Sequence, residues 1–377
     1  MVRAKFDQSI LALQGGGALG AYQAGVYEGL AEGGLLPTWV VGISIGSINA
    51  AIIAGNPPEH RVERLRTFWD RVSSYAPLTP PAWLDVMRPA LNNLSAASVM
   101  SFGIPVFFVP RVPPPVFAAD NTVGALSYYD TSPLKRTLEE LVDFDLINSR
   151  KVRLSLGAVN VREGQSVYFD NTRTRITADH VRASGSLPPG FPPVTIDGEQ
   201  YWDGGIVSNS PLAYVTEERP RTRVLIIEVD VFNARGELPQ NLDQVMERAK
   251  DIQYASKMRL NTDHFRELGE MRSALGRLLS KLPAALKDDP DAQKLAPLCD
   301  DREFTIARMI NRRTTKSGNN KDYEFSRSTV NEAWTAGLED VRRSKAKIEW
   351  IQPMDLGPGV RVYDLPPATE IPGDSCG

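Results

Sequence analysis

The chain has 377 residues, 42% hydrophobic and 24% charged, with a formal net charge of −3. That length supplies ample chain for a buried core, as one large domain or two smaller ones, and the slight acidity speaks against a nucleic-acid partner held by bulk positive charge. Two cysteines, Cys299 and Cys376, are too few for a disulfide framework, so the expected setting is the reducing cytoplasm.

No apolar run reaches the length of a membrane span, and residues 10–13 are too short for the core of a signal peptide. Any membrane contact is therefore expected to be peripheral, at the inner face. Residues 9–13 read as a short buried strand. Gly15-Gly16-Gly17-Ala18-Leu19-Gly20 leads from it into a helix over 21–32, striped by Ala24, Tyr27, Leu30 and Ala31 and ended by Gly33-Gly34. Residues 39–41 form a second strand. They run into Gly42-Ile43-Ser44-Ile45-Gly46, and the small residues from Ser47 to Ala54 continue as a helix. Strand, Gly-x-Ser-x-Gly and helix in that order form the pattern of a nucleophile elbow. A serine at the tip of so tight a turn sits in a strained backbone conformation, and glycines on both sides let the chain double back. The helix that follows points its positive end at the Ser44 oxygen.

Residues 61–72 are amphipathic, with Val62, Leu65, Phe68, Trp69 and Val72 on one side. From 75 to 126 the texture changes. Prolines at 77, 80, 81, 89, 105, 110 and 113–115 oppose long regular elements, yet Val106-Phe107-Phe108-Val109, Val116 and Phe117 are apolar. Such an insertion, close in sequence to a nucleophile, reads either as a lid or substrate entrance or as a buried irregular connection.

A helix follows over 131–142, with Thr131 as cap and Pro133 in its first turn, then a strand over 152–161 and a hairpin return over 166–169. Thr177 opens a short helix to about Ser184. Gln200-Tyr201-Trp202 is a short strand before Asp203-Gly204-Gly205, and Asn209-Ser210-Pro211 introduces another helix. Residues 223–231 are continuously apolar with a β-branched bias, as in a central strand of a mostly parallel sheet. Strands alternating with helices define an α/β class with a layered core. Beyond 233 the pattern is polar and mainly helical, over 242–282 and 329–346, with one strand over 304–310. Past 353 it reads as a Pro- and Gly-rich, poorly ordered tail. The expected organisation is a core over 8–232 that includes the insertion, an appended mainly helical region over 233–352, and the tail over 353–377.

Two loops carry candidate chemistry. Gly15 to Gly20 fits a dinucleotide-binding turn, but that reading wants an acidic residue at the end of the second strand, where this chain has Gly42-Ile43-Ser44. It also fits an oxyanion hole, whose glycine amides face a nucleophile on the adjacent strand. Both loops leave the carboxyl edge of a parallel sheet, so the oxyanion reading accounts for both at once. The serine needs a base. His60 opens a charged helix, His180 lies one turn before Ser184, and His264 sits in a charged helical stretch. Ser44–Asp203–His264 has the chain order of an α/β-hydrolase triad. Asp203, presented at a turn beside Tyr201 and Trp202, is the stronger candidate, because apolar surroundings raise a carboxylate's pKa and strengthen it as a base.

The loop Gly15–Gly20, the elbow Gly42–Gly46, the block Ala183-Ser184-Gly185-Ser186-Leu187-Pro188 and Asp203-Gly204-Gly205, in this order, resemble the patatin-like phospholipases, over roughly 10–231. The resemblance implies a three-layer α/β/α core around a mostly parallel sheet. It implies a Ser44–Asp203 dyad, an oxyanion hole at Gly15, Gly16 and Gly17, and supporting glycines at 20, 42, 46, 204 and 205. It further implies hydrolysis of lipid esters without metal or cofactor. The chain departs from many members at Leu19, where they carry a basic residue. The region after 233 is similar to an extension found in some bacterial members. Two other readings stay open: a lipid-binding module with an inactive site, and the triad through His264. The basic cluster Arg308, Arg312, Arg313, Lys316, Lys321 and Arg327 reads either as a solvated loop or as a face for anionic head groups.

Overall fold

The computed structural model describes residues 6–73, 88–218, 223–299, 302–312, 320–345 and 359–365. Strand β1 (Gln8–Leu13) passes through a 3₁₀ turn at Gly17–Leu19 into α1 (Gly20–Glu32), and β2 (Trp39–Ile43) turns into α2 (Ile45–Ala54). Next come α3 (Arg61–Val72) and α4 (Arg88–Phe102), then a small ladder of β3 (Val109–Pro110) with β4 (Tyr129–Asp130). Helices α5 (Ser132–Leu141) and α6 (Phe144–Asn148) lead to β5 (Arg153–Asn160), β6 (Ser166–Asp170), α7 (Ala178–Ser184), β7 (Val194–Ile196), β8 (Glu199–Asp203), α8 (Leu212–Glu217) and β9 (Arg223–Asp230). The remainder comprises α9 (Leu242–Ser280), α10 (Ala284–Lys287), α11 (Pro290–Leu295), β10 (Glu303–Ile310), α12 (Arg327–Lys345) and β11 (Gly359–Leu365).

The main sheet runs β11-β10-β9-β1-β2-β5-β8-β7, with β6 pairing on β5. All pairs from β11 to β5 are parallel, and β6, β7 and β8 pair antiparallel. This is a mixed α/β architecture around a mostly parallel sheet. Strand residues are buried on both faces, which is why β1, β2 and β9 read as unbroken apolar runs. Leu11, Leu13, Val40, Leu225 and Ile227 pack into one core with α1, α2 and α3. Ile10, Ala12, Val41, Ile226 and Ile306 pack into a second with Leu212 and Val215 of α8 and Phe265 of α9.

The lanes of this sheet bring two loops together. β2 pairs with β5 as far as Ile43 opposite Gly157, and β8 pairs with β5 from Ala158 opposite Asp203. β6 overlaps both registers on β5, so β2 and β8 must lie on the same side of it. β8 thus enters, from the opposite direction, the lane that β2 leaves. The residue after Ile43 and the last residue of β8 therefore meet.

Several expectations change. Residues 75–87 of the Pro-rich insertion lie outside the described residues. Residues 88–102 form a 15-residue helix, because its one proline, Pro89, falls in the first turn where a missing N–H costs nothing. The region after 233 is largely helical, and it also extends the sheet with β10 and β11. Gly359–Leu365 forms an edge strand within the stretch expected to be a tail. Val360 and Val362 alternate onto the second core there, and a pairing partner on one side suffices for an edge strand.

Helix α12 lies against α1. A Cβ on Gly25 would overlap the Trp334 carbonyl, and one on Gly337 would overlap that of Tyr22. Tyr22 Oη donates to Asp340 at 2.8 Å, the Trp334 indole N–H donates to Glu28, and the Arg66 guanidinium stacks 3.5 Å from the Trp334 ring.

Candidate active site

Ser44 occupies the turn between β2 and α2 with φ 57° and ψ −126°, a left-handed backbone that costs a non-glycine residue about 1–3 kcal/mol. The flanking glycines have steric reasons. A Cβ on Gly42 would overlap the Gly46 carbonyl, and one on Gly46 would overlap that of Leu13. The Ser44 amide donates to the Ser184 carbonyl at 3.1 Å, and the Asp203 amide donates to the Ser186 carbonyl at 3.0 Å. Ser184 Oγ in turn donates to the Gly157 carbonyl. The turn after α7 therefore braces the backbones of Ser44 and Asp203 together.

Asp203 is 2% exposed, and its Oδ1 accepts the Gly205 amide at 2.7 Å. Burial pushes its pKa up to about 6, against a smaller lowering by the neighbouring Ser44 hydroxyl and the Gly205 N–H. An isolated carboxylate at this depth disfavours its own charge and becomes a better proton acceptor.

The Gly15–Gly17 loop faces Ser44 from the adjacent lane, and the Cβ position of Gly15 lies 3.0 Å from Ser44 Cβ. Four contacts fix the loop. Asn209 Nδ2 donates to the Gly15 carbonyl at 2.9 Å, and Gln23 Nε2 donates to the Gln14 carbonyl at 2.6 Å. The Val231 amide donates to Gln14 Oε1 at 2.8 Å. The Ala18 amide donates to the Asp322 carbonyl at 2.9 Å, with Asp322 Oδ1 held 2.7 Å from Lys250 Nζ. Gly17 takes φ 55°, and a Cβ there would overlap that same Asp322 carbonyl.

Ser44, Asp203, Gly15, Gly16, Gly17 and Gly205 all line one cavity of about 330 Å³. Its far wall is apolar, with Phe107, Phe108 and Phe191 in mutual ring contact at 5.1–6.2 Å and Phe325 at 6.1 Å from Phe107. Gly20, Gly42, Gly46 and Gly204 stand behind it as close-packing positions; a Cβ on Gly20 or Gly204 would meet Ile45 or the Gly157 carbonyl within 2.7 Å.

No histidine lines this cavity among the described residues. His264 is exposed on α9. His60 is exposed beside Glu63, and His180 closes a capping box with Thr177. Three members of the basic cluster are held by carboxylates. Arg308 is buried among Glu228, Asp230 and Asp364, Lys321 pairs with Glu247 and Asp251, and Arg327 pairs with Asp70. Arg313 and Lys316 lie outside the described residues.

Sequence reasoning passed over Asn209, Ser184 as a brace, and the C-terminal wall of Tyr254, Asp322, Tyr323 and Phe325. Asn209 follows the Asp-Gly-Gly turn closely enough to have been a candidate. Nothing local marks Asp322, whose role depends on a loop three hundred residues earlier.

The strained Ser44 turn, the buried Asp203 carboxylate and the Gly15–Gly17 loop thus surround one largely apolar cavity. The family model described as patatin-like phospholipase matches residues 11–216, more than half of the 377 residues, and the chain belongs to that family. A second model, described as patatin phospholipase, matches residues 252–356. No curated protein matches the sequence. Similar solved structures include VipD from Legionella pneumophila, with 14% identity and a TM-score of 0.37 over 91% of this chain and 66% of that one. The heterodimeric ExoU–SpcU complex of the type III secretion system of Pseudomonas aeruginosa is also similar, with 16% identity and a TM-score of 0.28 over 91% of this chain and 76% of that one. This chain spans just under two thirds of the VipD chain. At these scores the likenesses bear on neither activity nor partners.

Proposed function

We propose that this protein hydrolyses carboxylic esters of lipids, with Ser44 as nucleophile and Asp203 as general base. The observation that carries the reading is that Ser44, on its strained turn, shares one aromatic-walled cavity with a buried carboxylate, Asp203, whose pKa is raised to about 6. Ser44 Oγ attacks the acyl carbon and passes its proton to Asp203, a transfer typically contributing about 10²–10⁴-fold. The oxygen that becomes negative faces the amides of Gly15, Gly16 and Gly17, and one such donor is worth roughly 3–4 kcal/mol elsewhere. The tetrahedral species collapses, and the leaving alkoxide takes the proton from Asp203. Water then gives a proton to Asp203 and attacks the acyl-enzyme; Ser44 leaves as the free hydroxyl and the fatty acid departs. The aromatic wall suits the acyl chain. The exposed His264 speaks for two residues rather than three.

Intact-mass measurement after treatment with a long-chain alkyl fluorophosphonate tests this. One adduct is expected, absent in Ser44→Ala and much slower in Asp203→Ala. An adduct that survives Ser44→Ala, or one lost in His264→Ala instead of Asp203→Ala, overturns the assignment.

A further inference from the structure

The cavity opens beside an exposed apolar surface. The chain between β3 and β4, residues 111–128, leaves and returns at the cavity wall. Phe108 and Tyr129 hold its base with ring centroids 4.9 Å apart, and Tyr128 lines the cavity. Two 3₁₀ turns, Pro115–Phe117 and Val123–Leu126, pack on each other and give this arm a fixed form, with Pro113-Pro114-Pro115 restricting the backbone further. Its apolar side chains face outward: Val112 is 93% exposed, Val116 78% and Phe117 77%. Beside it the end of α4 adds Met100, another cavity-lining residue, and Phe102, 75% exposed. From Leu91 to Tyr128 only Arg111 and Asp120 are charged, in a chain that is 24% charged. Arg111 Nε is committed to Ser127 Oγ at 3.0 Å.

We propose that the 111–128 arm and the end of α4 form an apolar platform that seats on an electrically neutral lipid surface and feeds acyl chains into the cavity. Concentrated exposed apolar surface marks a contact site, and two features name the occupant. Met100 and Tyr128 belong both to the platform and to the cavity, so what covers the platform sits at the cavity mouth. The near absence of charge matches uncharged or zwitterionic lipid, while Arg308, Lys321 and Arg327 are tied to carboxylates elsewhere. A rigid arm loses little conformational entropy on seating, which favours binding. The substrate half of the proposal rests on the ester-hydrolase reading; the docking half does not.

The test is flotation of full-length Ser44→Ala protein with phosphatidylcholine vesicles. Co-flotation is expected, nearly unchanged when salt rises from about 50 mM to about 500 mM, because screening weakens charge contacts and not apolar ones. Adding Val116→Ser and Phe117→Ser should lower partitioning by about tenfold or more, since each side chain withdrawn from water contributes on that order. In the Ser44 background the same double variant should keep its hydrolysis of a water-soluble short-chain ester and lose that of vesicle lipid. No flotation, flotation abolished by salt, or flotation indifferent to the double variant overturns the proposal. So does a protein dimer, seen by gel filtration, that the double variant dissolves while lipid binding is absent. If the soluble ester is not hydrolysed by the unaltered protein, the hydrolase reading fails, while the vesicle result still decides the docking surface.

Discussion

As the proposed base, Asp203 has to be buried and yet ionised, and the two demands set its pH behaviour. With its pKa raised to about 6, the proposed base is ionised above that pH. kcat/KM is expected to rise with pH, reach half its maximum near 6 and level off above it, in a pH–rate profile on a soluble ester. The stability effect has the opposite sense. The folded protein holds a proton on Asp203 that the unfolded chain releases near 3.8. Stability therefore falls as pH rises between about 4 and 6, by about 3 kcal/mol for a shift of this size. Asp203→Asn removes the buried charge. It should raise Tm at pH 8 by several degrees, gain little near pH 4, and abolish hydrolysis. An unchanged Tm at pH 8 would mean that the carboxylate costs nothing where it sits. Ser44 and its glycines were legible because a tight turn declares itself within five residues. Asp203 was legible through its neighbours, and Asn209 was not, since its amide acts on a carbonyl nearly two hundred residues away.

Helix α1 shows why a face can be misread. A stripe of Ala24, Tyr27, Leu30 and Ala31 suggests one buried side, but Tyr22, Gln23, Gly25, Val26 and Gly29 are buried as well. The sheet covers one side and α12 another, and the glycines that weaken α1 as a helix are the ones that admit α12 to close range. Gly25→Val should therefore cost about 3 kcal/mol or more, read as a fall in Tm, because backbone rather than a mobile side chain stands in the way. Activity should fall with stability, since the segment at 320–326 leads into α12 and carries Asp322, Tyr323 and Phe325 of the cavity wall. Full activity in a Gly25→Val protein of unchanged Tm would show that α12 can lift without disturbing the site. Proline content misled the expectation for 88–102 in the opposite sense, because position within a helix matters more than number.

At the scale of the molecule, β9, β10 and β11 are joined by charge as well as by hydrogen bonds. Arg308 stands opposite both Glu228 and Asp364 in the ladder, and its guanidinium reaches Asp230 at 3.1 Å and Asp364 at 3.2 Å. Burial raises the pKa of Glu228 and Asp230, with Arg308 opposing that rise. Arg308→Leu leaves two buried carboxylates without their cation, a loss of about 3–5 kcal/mol. Raised carboxylates are protonated first as pH falls, so the deficit in Tm should be larger at pH 8 than at pH 5. A deficit independent of pH would assign the loss to packing alone. The α/β class and the strand at 304–310 could be read from apolar runs. That β10 and β11 continue the same sheet could not, because parallel neighbours need not be close in sequence and each strand reports only its own burial.

That continuation also imposes an order of events on synthesis. When β9 leaves the ribosome its outer edge, Val224-Leu225-Ile226-Ile227, has no partner until β10 has been translated. The Ala18 amide likewise waits for Asp322. A nascent chain thus holds Ser44 and Asp203 well before it owns a finished cavity, and the stretch after 302 both shields a sticky strand with β10 and supplies Asp322, Tyr323 and Phe325 to the cavity wall.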